Sequence, residues 1–265
     1  GVDEGQIKEG IYASGMVTSP YGLKEVPHLV IPTTVERFAQ SVYRFREEKV
    51  FHRDFYLIPG LKTTGEDITH VNNMRGEEIE IIGTLDTLQE RYPGRTIALI
   101  LPGSHTHTAL IRDQQVQGIL SSMTGELFHA LKTATILSPI LSAEGDELEM
   151  VKEGMRNLET YGFNRAIYIC HAMRLFNQGT PAQRKSYAEG VMNGGFPKAL
   201  SWYCEREWKG CDLAVVVSNA YMYQLYSTLL EGHPYIKEVG WLPISKEKSY
   251  ATEGLKKILS CKKGV

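Results

Sequence analysis

The stretch that decides the fold is Ala98-Leu-Ile-Leu-Pro-Gly-Ser-His-Thr-His-Thr-Ala-Leu-Ile111. The apolar run from Ile97 to Leu101 predicts a strand and Pro102-Gly103 a tight turn. A second strand follows, with Thr106, Thr108 and Leu110 alternating against His107, Ala109 and Ile111. Gly103 can take a positive φ and lets backbone approach a ligand closely. Ser104, Thr106 and Thr108 set small donors beside the bend, and a turn whose N–H groups face one way is an anion cradle. An ordinary β-hairpin has the same pattern, so both readings stand at this point.

Downstream, Arg112-Asp-Gln-Gln115 predicts a turn and Val116 to Met123 a third strand, which makes an antiparallel meander. Met123-Thr-Gly-Glu-Leu-Phe128 opens a helix with Leu127, Leu131 and Ala134 inward. Helices are expected over 143–161, 164–177 and 181–208, the last interrupted by Asn193-Gly-Gly195 and Pro197. Asp212-Leu-Ala-Val-Val-Val217 is continuously apolar, as in a strand covered on both faces. A helix (220–231), a strand (238–243) and a terminal helix (250–260) complete this half.

Upstream, a short strand (11–17), a polar loop (18–22) and an extended piece (28–32) lead to a helix expected from Thr33 or Thr34 to about Lys49. Phe55 to Leu61 reads as a strand closed by Pro-Gly. Met74-Arg-Gly-Glu-Glu78 starts a helix whose apolar side is Ile81, Ile82, Leu85 and Leu88. Strands followed by covering helices indicate an α/β protein. The turn at Tyr92-Pro-Gly-Arg95 predicts a boundary near residue 94, dividing lobes 1–94 and 95–265.

The 265 residues have ordinary globular composition, and a net charge of -2 gives no reason to expect nucleic acid or an anionic membrane as partner. Four cysteines without a C-x-x-C pair favour free thiols in a reducing cytosol. With no apolar run of membrane-spanning length, a cytoplasmic chain is expected.

Several residues could carry chemistry. Glu77 and Glu78 lie where a loop meets a helix N-terminus, either as a dipole-stabilised capping pair or as a general base held at a cleft. Arg75 beside them could neutralise an anionic ligand. His105 and His107 share one strand face, but nothing else in the sequence completes a metal set, and a hydrogen-bonded role fits them better. Glu126, after Thr124, is either a capping acid or a cleft residue. Ser218-Asn219 follows a buried strand, where α/β proteins place ligand-contacting backbone; both residues also cap helices well.

Taken jointly, six short stretches resemble the 2-dehydro-3-deoxygalactonokinase family, in order and spacing. They are Gly15-Met-Val17, Glu25-Val-Pro-His-Leu29, Ile58-Pro-Gly-Leu61, Met74-Arg-Gly-Glu-Glu78, Leu101-Pro-Gly-Ser-His105 and Met123-Thr-Gly-Glu-Leu127. The resemblance covers nearly the whole chain. It implies a two-lobed actin-like, ribonuclease-H-like ATPase fold, with ATP and Mg2+ bound between lobes. The implied reaction moves the γ-phosphoryl of ATP to the 6-hydroxyl of 2-dehydro-3-deoxy-D-galactonate, in galactonate breakdown.

On that resemblance Glu77 is the base, with Glu78 as a neighbour that could substitute. Gly15, Met16, Arg75 and Glu126 serve the sugar acid. Gly103, Ser104, His105, Thr106, Ser218 and Asn219 serve the nucleotide. The sequence departs from the family's usual pattern at His107-Thr108 (Lys-Trp), Leu23 (Trp) and Ser218-Asn219 (a Gly-Thr/Ser pair). Members normally begin with an Asp-x-Gly-Ser/Thr phosphate hairpin, and a chain starting at Gly1 leads us to expect a missing N-terminal segment. The rival expectation is a catalytically inactive sugar-acid or nucleotide binding protein of the same fold. A homodimer is allowed, but nothing in the sequence specifies the oligomeric state.

Overall fold

In a computed structural model, residues 5, 10–48, 51–245 and 249–263 are described. The chain is mixed α/β and divides into two compact units. The first contains residues up to Arg95, Ala109–Ile119 and the chain from Ser245 onward; the second contains Thr96–Thr108 and Leu120–Ile244.

The first unit holds two small sheets. In one, β4 (Phe51–Leu57) lies between β1 (Ile11–Ala13), parallel to it, and β3 (Tyr43–Glu47), antiparallel to it. In the other, β5 (Leu61–Lys62) lies between β2 (Leu29–Val30) and β6 (Asn73–Met74). The helix expected to run to Lys49 ends far earlier. The helix α1 covers Val35–Gln40, capped by Thr34, whose hydroxyl accepts from Arg37 N. Ser41 donates both its N–H and its hydroxyl back to Arg37 O, closing the helix. Tyr43 and Phe45 alternate with Arg44 and Arg46, and both arginines pair with Asp54 on β4. Phe45 fits a period of 3.6 as well as one of two, and the cross-strand pairs decide for the strand. Lys49 lies outside the described residues.

Two long helices close this unit. The apolar face expected on α2 (Glu77–Arg91) is buried, including Ile81, Ile82, Leu85 and Leu88. Against it packs α10 (Tyr250–Lys263). Glycine on each side permits the approach: a Cβ on Gly83 would overlap the Tyr250 carbonyl, and one on Gly254 the Ile79 carbonyl. Backbone meets backbone there, which no apolar stripe announces.

The deciding stretch forms its hairpin. Strands β7 (Ile97–Pro102), β8 (Thr106–Arg112) and β9 (Gln115–Ser122) are sheet neighbours, and the sheet continues in the order β11-β10-β7-β8-β9. Asp113 and Gln114 both have positive φ (50° and 57°), as in a two-residue type I′ turn matched to strand twist. The fully buried β10 (Leu213–Ser218) runs parallel to β7, and to β11 (Glu238–Pro243) through the crossover helix α9 (Ala220–Leu229).

The second unit carries the remaining helices, including α3 (Gly125–Ala134), α5 (Leu148–Tyr161), α6 (Phe163–Leu175), α7 (Pro181–Asn193) and α8 (Phe196–Arg206). The break expected at residues 193–197 separates α7 from α8. Around Tyr187, Ala188 and Val191 of α7 lies an apolar core with Ala166 and Cys170. α5 and α7 touch at glycines: a Cβ on Gly190 would overlap the Val151 carbonyl, and one on Gly154 the Tyr187 carbonyl. Among the described residues, no helix is long and apolar enough to cross a membrane. All four cysteines are free thiols.

Candidate functional site

In the first unit, four of the motif stretches meet at Arg75. Its Nη1 donates to Thr18 O (2.6 Å) and Thr18 Oγ1 (2.5 Å), and its Nη2 donates to Val26 O (3.2 Å). Nη2 also lies 3.1 Å from His28 Nδ1. A guanidinium offers only donors, so Nδ1 must accept and the imidazole proton sits on Nε2. Burial, with the charges of Arg75 and Lys62, lowers the His28 pKa to about 4. Thr18 in turn donates to Gly15 O (2.9 Å), so Arg75 also holds the Gly15 loop. Gly60 lies against this node, where a Cβ would overlap Met74 O and crowd the His28 ring.

Gly76 precedes α2 with φ 123°, a conformation that disfavours any side chain, and Gly15 faces it with φ 79°. A Cβ on Gly76 would come 3.5 Å from Gly15 Cα. The two acids of the next turn then separate. Glu78 is 0% exposed, and its Oε2 accepts from Gly76 N (2.6 Å). Burial is the main cause that raises its pKa to about 8, with the charge of Glu77 adding to it. Such a carboxyl is largely protonated at neutral pH and meets no solvent. Glu77 is half-buried at the first position of the helix. Met16 stands exposed on the Gly15 loop.

In the second unit, the turn Gly103-Ser104-His105 sits on the start of α3. Glu126 N donates to Ser104 O (2.7 Å), and a Cβ on Gly125 would overlap the Gly103 carbonyl. Glycine is therefore required at 125 for helix and turn to touch. His105 Nε2 lies 3.1 Å from Glu126 Oε2 in a partly exposed pair, which ties the acid of the Met-Thr-Gly-Glu stretch to the hairpin. His107 is buried, its Nδ1 2.9 Å from Ser121 Oγ, in the hydrogen-bonded role expected of it. Among the described residues, no three His, Cys, Asp or Glu side chains are grouped to hold a metal ion.

Thr124 occupies the N-cap position of α3, but its hydroxyl makes no cap bond. It instead lies 2.8 Å from Thr106 Oγ1, which also meets the hydroxyl of Tyr226. Burial pushes the Tyr226 phenol up to about 12. Asn219 caps α9, its Oδ1 accepting from Met222 N (2.9 Å), and Ser218 Oγ donates to Asn219 O.

These parts surround one cavity of about 310 Å³. Gly103, Thr106, Thr124 and Gly125 line it from the hairpin side, and Asn219, Met222, Leu225 and Tyr226 from α9. Phe128, and Glu189 and Asn193 of α7, complete the wall. Apolar surface with a few convergent polar groups is the usual make-up of a small-molecule site. Neither Ser218 nor His105 is among its lining residues.

Sequence reading missed Tyr226 and Glu189, which sit inside helical stretches with no motif around them, and took Asn193 only as part of a helix break. One signal was present. Glu189 is flanked by Ala188 and Gly190, small residues that mark a close helix contact and so place that helix face inside.

A glycine turn seated on a helix start above such a cavity is an arrangement able to hold an anion or a small molecule in an α/β protein. The chain belongs to the 2-keto-3-deoxy-galactonokinase family, whose family model matches residues 2–240. It is 24% identical over 188 residues to the 2-dehydro-3-deoxygalactonokinase of Escherichia coli (strain K12), covering 71% of this chain and 60% of that one. It is 31% identical over 137 residues to a Rhizobium meliloti (strain 1021) protein named as a candidate 2-dehydro-3-deoxygalactonokinase, DgoK1, covering 51% of this chain and 41% of that one. The matched stretches thus span less than two thirds of the length of either curated relative. Its fold is shared with the crystal structure of a candidate 2-dehydro-3-deoxygalactonokinase from Sinorhizobium meliloti, at a TM-score of 0.72 and 23% identity, over 96% of this chain and 78% of that one.

Proposed function

We propose that this chain is part of an ATP-dependent sugar-acid kinase with an actin-like, two-lobed fold, acting on the 6-hydroxyl of 2-dehydro-3-deoxy-D-galactonate in galactonate catabolism. The observation that carries the reading is the cavity under the Gly103 turn, in a chain matched to this family over residues 2–240. ATP supplies the transferable phosphoryl group, with Mg2+ as its counter-charge. The residues present suit a nucleotide, with apolar walls from Phe128, Met222 and Leu225 for a base and an exposed glycine turn for phosphates.

Phosphoryl transfer depends on positioning and charge neutralisation more than on covalent chemistry. Glu77 takes the proton of the acceptor hydroxyl. Glu78, buried and bonded to Gly76 N, positions Glu77 by anchoring the start of α2 and does not substitute for it. Gly15 and Met16 contact the sugar acid on a loop that Arg75 holds through Thr18. Arg75 reaches the substrate's carboxylate only with donor capacity left over from those contacts. Ser104 and the backbone of Gly103 to Thr106 contact the phosphates. Glu126 orients His105 toward them, and the Ser218-Asn219 backbone borders the nucleoside. We place the protein in the cytoplasm.

A second reading, a binding protein without turnover, is favoured by one feature. His107, which stands where the family usually has Lys, is buried with its Nδ1 against Ser121 Oγ, so no lysine ammonium is supplied at that position. The deciding experiment is ADP release by the full-length protein with 2-dehydro-3-deoxygalactonate. Turnover is expected. Nucleotide binding without turnover on this or any related keto-deoxy acid selects the second reading.

A further inference from the structure

Glu189 is a buried carboxylate, 4% exposed, in the wall of the cavity under the Gly103 turn. Its Oε2 accepts from the hydroxyl of Tyr221, the one hydrogen bond its carboxylate makes among the described residues. Lys185 Nζ lies 3.9 Å from Oε1, beyond hydrogen-bond reach, and binds Asp146 Oδ1 at 2.8 Å. The ammonium also stands 4.9 Å over the Tyr221 ring. Asn193 Nδ2 donates to Glu189 O (2.9 Å), which holds the backbone and leaves the carboxylate's acceptor capacity unspent.

A carboxylate offers about four acceptor sites, and with Tyr221 on one of them Glu189 keeps acceptor capacity for a ligand in the cavity it lines. Burial pushes the Glu189 carboxyl upward, and the Tyr221 hydroxyl and Lys185 oppose the push. Lys185 already lies near it, so the ligand that completes this group needs neutral donors more than positive charge. Two adjacent hydroxyls meet that requirement, and the apolar Phe128, Met222 and Leu225 line the same cavity for a flat, apolar group.

We infer that Glu189, held by Tyr221, accepts hydrogen bonds from the vicinal 2′,3′-diol of a ribonucleotide and so selects ribo- over deoxyribonucleotides. The inference rests on the nucleotide reading of this cavity and adds to it the residue that reads the sugar.

The test is calorimetric binding of ADP, 2′-deoxy-ADP, 3′-deoxy-ADP and purine riboside diphosphate to the protein. ADP should bind about tenfold or more tightly than either deoxy analogue, the scale of a lost hydrogen bond to a charged group. Purine riboside diphosphate, which lacks the 6-amino group, should keep most of the affinity. Glu189→Gln should abolish the preference for the ribose, whereas Tyr221→Phe should keep it. Equal binding of ADP and the deoxy analogues overturns the inference and leaves the nucleotide reading intact. A selective loss with purine riboside diphosphate overturns it too, since the carboxylate would then read the base. No binding of any of the four removes both. The comparison of ligands on the parent protein decides the matter even if a variant fails to fold.

Discussion

The Arg75 node and the Glu189 cavity are opposites in how their polar groups are used. In the first unit, both terminal nitrogens of Arg75 are engaged with Thr18, Val26 and His28, and glycines at 15, 60 and 76 bring backbones close. Four motif stretches are thereby locked into one rigid frame. In the second unit, Glu189 keeps acceptor capacity and lines an open cavity with Asn219 and the Gly103 turn. The comparison teaches that motif residues need not be the ligand contacts. Here several of them hold the scaffold, while a residue outside any motif carries free bonding capacity.

Substitutions can break this contrast, and the largest effect is expected at the edge of the rigid frame. Glu77→Gln should lower kcat by about 10²–10⁴-fold with little change in nucleotide affinity, measured by ADP release and calorimetry. An unchanged rate would remove Glu77 as the base.

Glu78→Gln tests the buried acid through pH. Its folded pKa of about 8 lies above the ordinary 4.5, so between those values the folded state holds the extra proton. Stability of the parent should therefore fall as pH rises from about 5 to 8, by up to about 4 kcal/mol. Urea unfolding of the Gln variant should lack that fall. Identical pH profiles would mean that Glu78 is not protonated in the fold.

Arg75→Met strips four acceptors on three residues of their donor and should cost about 3 kcal/mol in urea unfolding. It should also move the His28 titration upward from about 4, as followed by NMR, because one of the charges depressing it is gone. A loss under ~0.5 kcal/mol would be ordinary for a surface site and would contradict the node. The smallest effect is expected in the hydroxyl cluster. Tyr226→Phe leaves Thr106 its contact with Thr124 and should cost about 1 kcal/mol. A loss of ~3 kcal/mol or more would show that the second unit is as tightly tied as the first.

Much of the architecture was legible in the sequence. The hairpin at Gly103, the buried β10 strand, the apolar face of α2 and the break between α7 and α8 all follow from local pattern and turn chemistry. The run from Tyr43 to Glu47 was not legible as a strand, because its few apolar residues suit two periods and only pairing with Asp54 and Phe55 chooses one. Thr124 carries every mark of a helix cap, yet its hydroxyl turns to Thr106, a partner 18 residues away in sequence.

The sequence by itself determined which segments alternate, where glycine must bend the chain, and which motifs keep company in one family. Tertiary structure alone decided that Glu78 is the buried member of the acid pair, that Arg75 is a tie, and that Glu189 faces a cavity. The physical reason is common to all three. Burial and hydrogen-bond partners set what a polar side chain can do, and those partners come from distant parts of the chain.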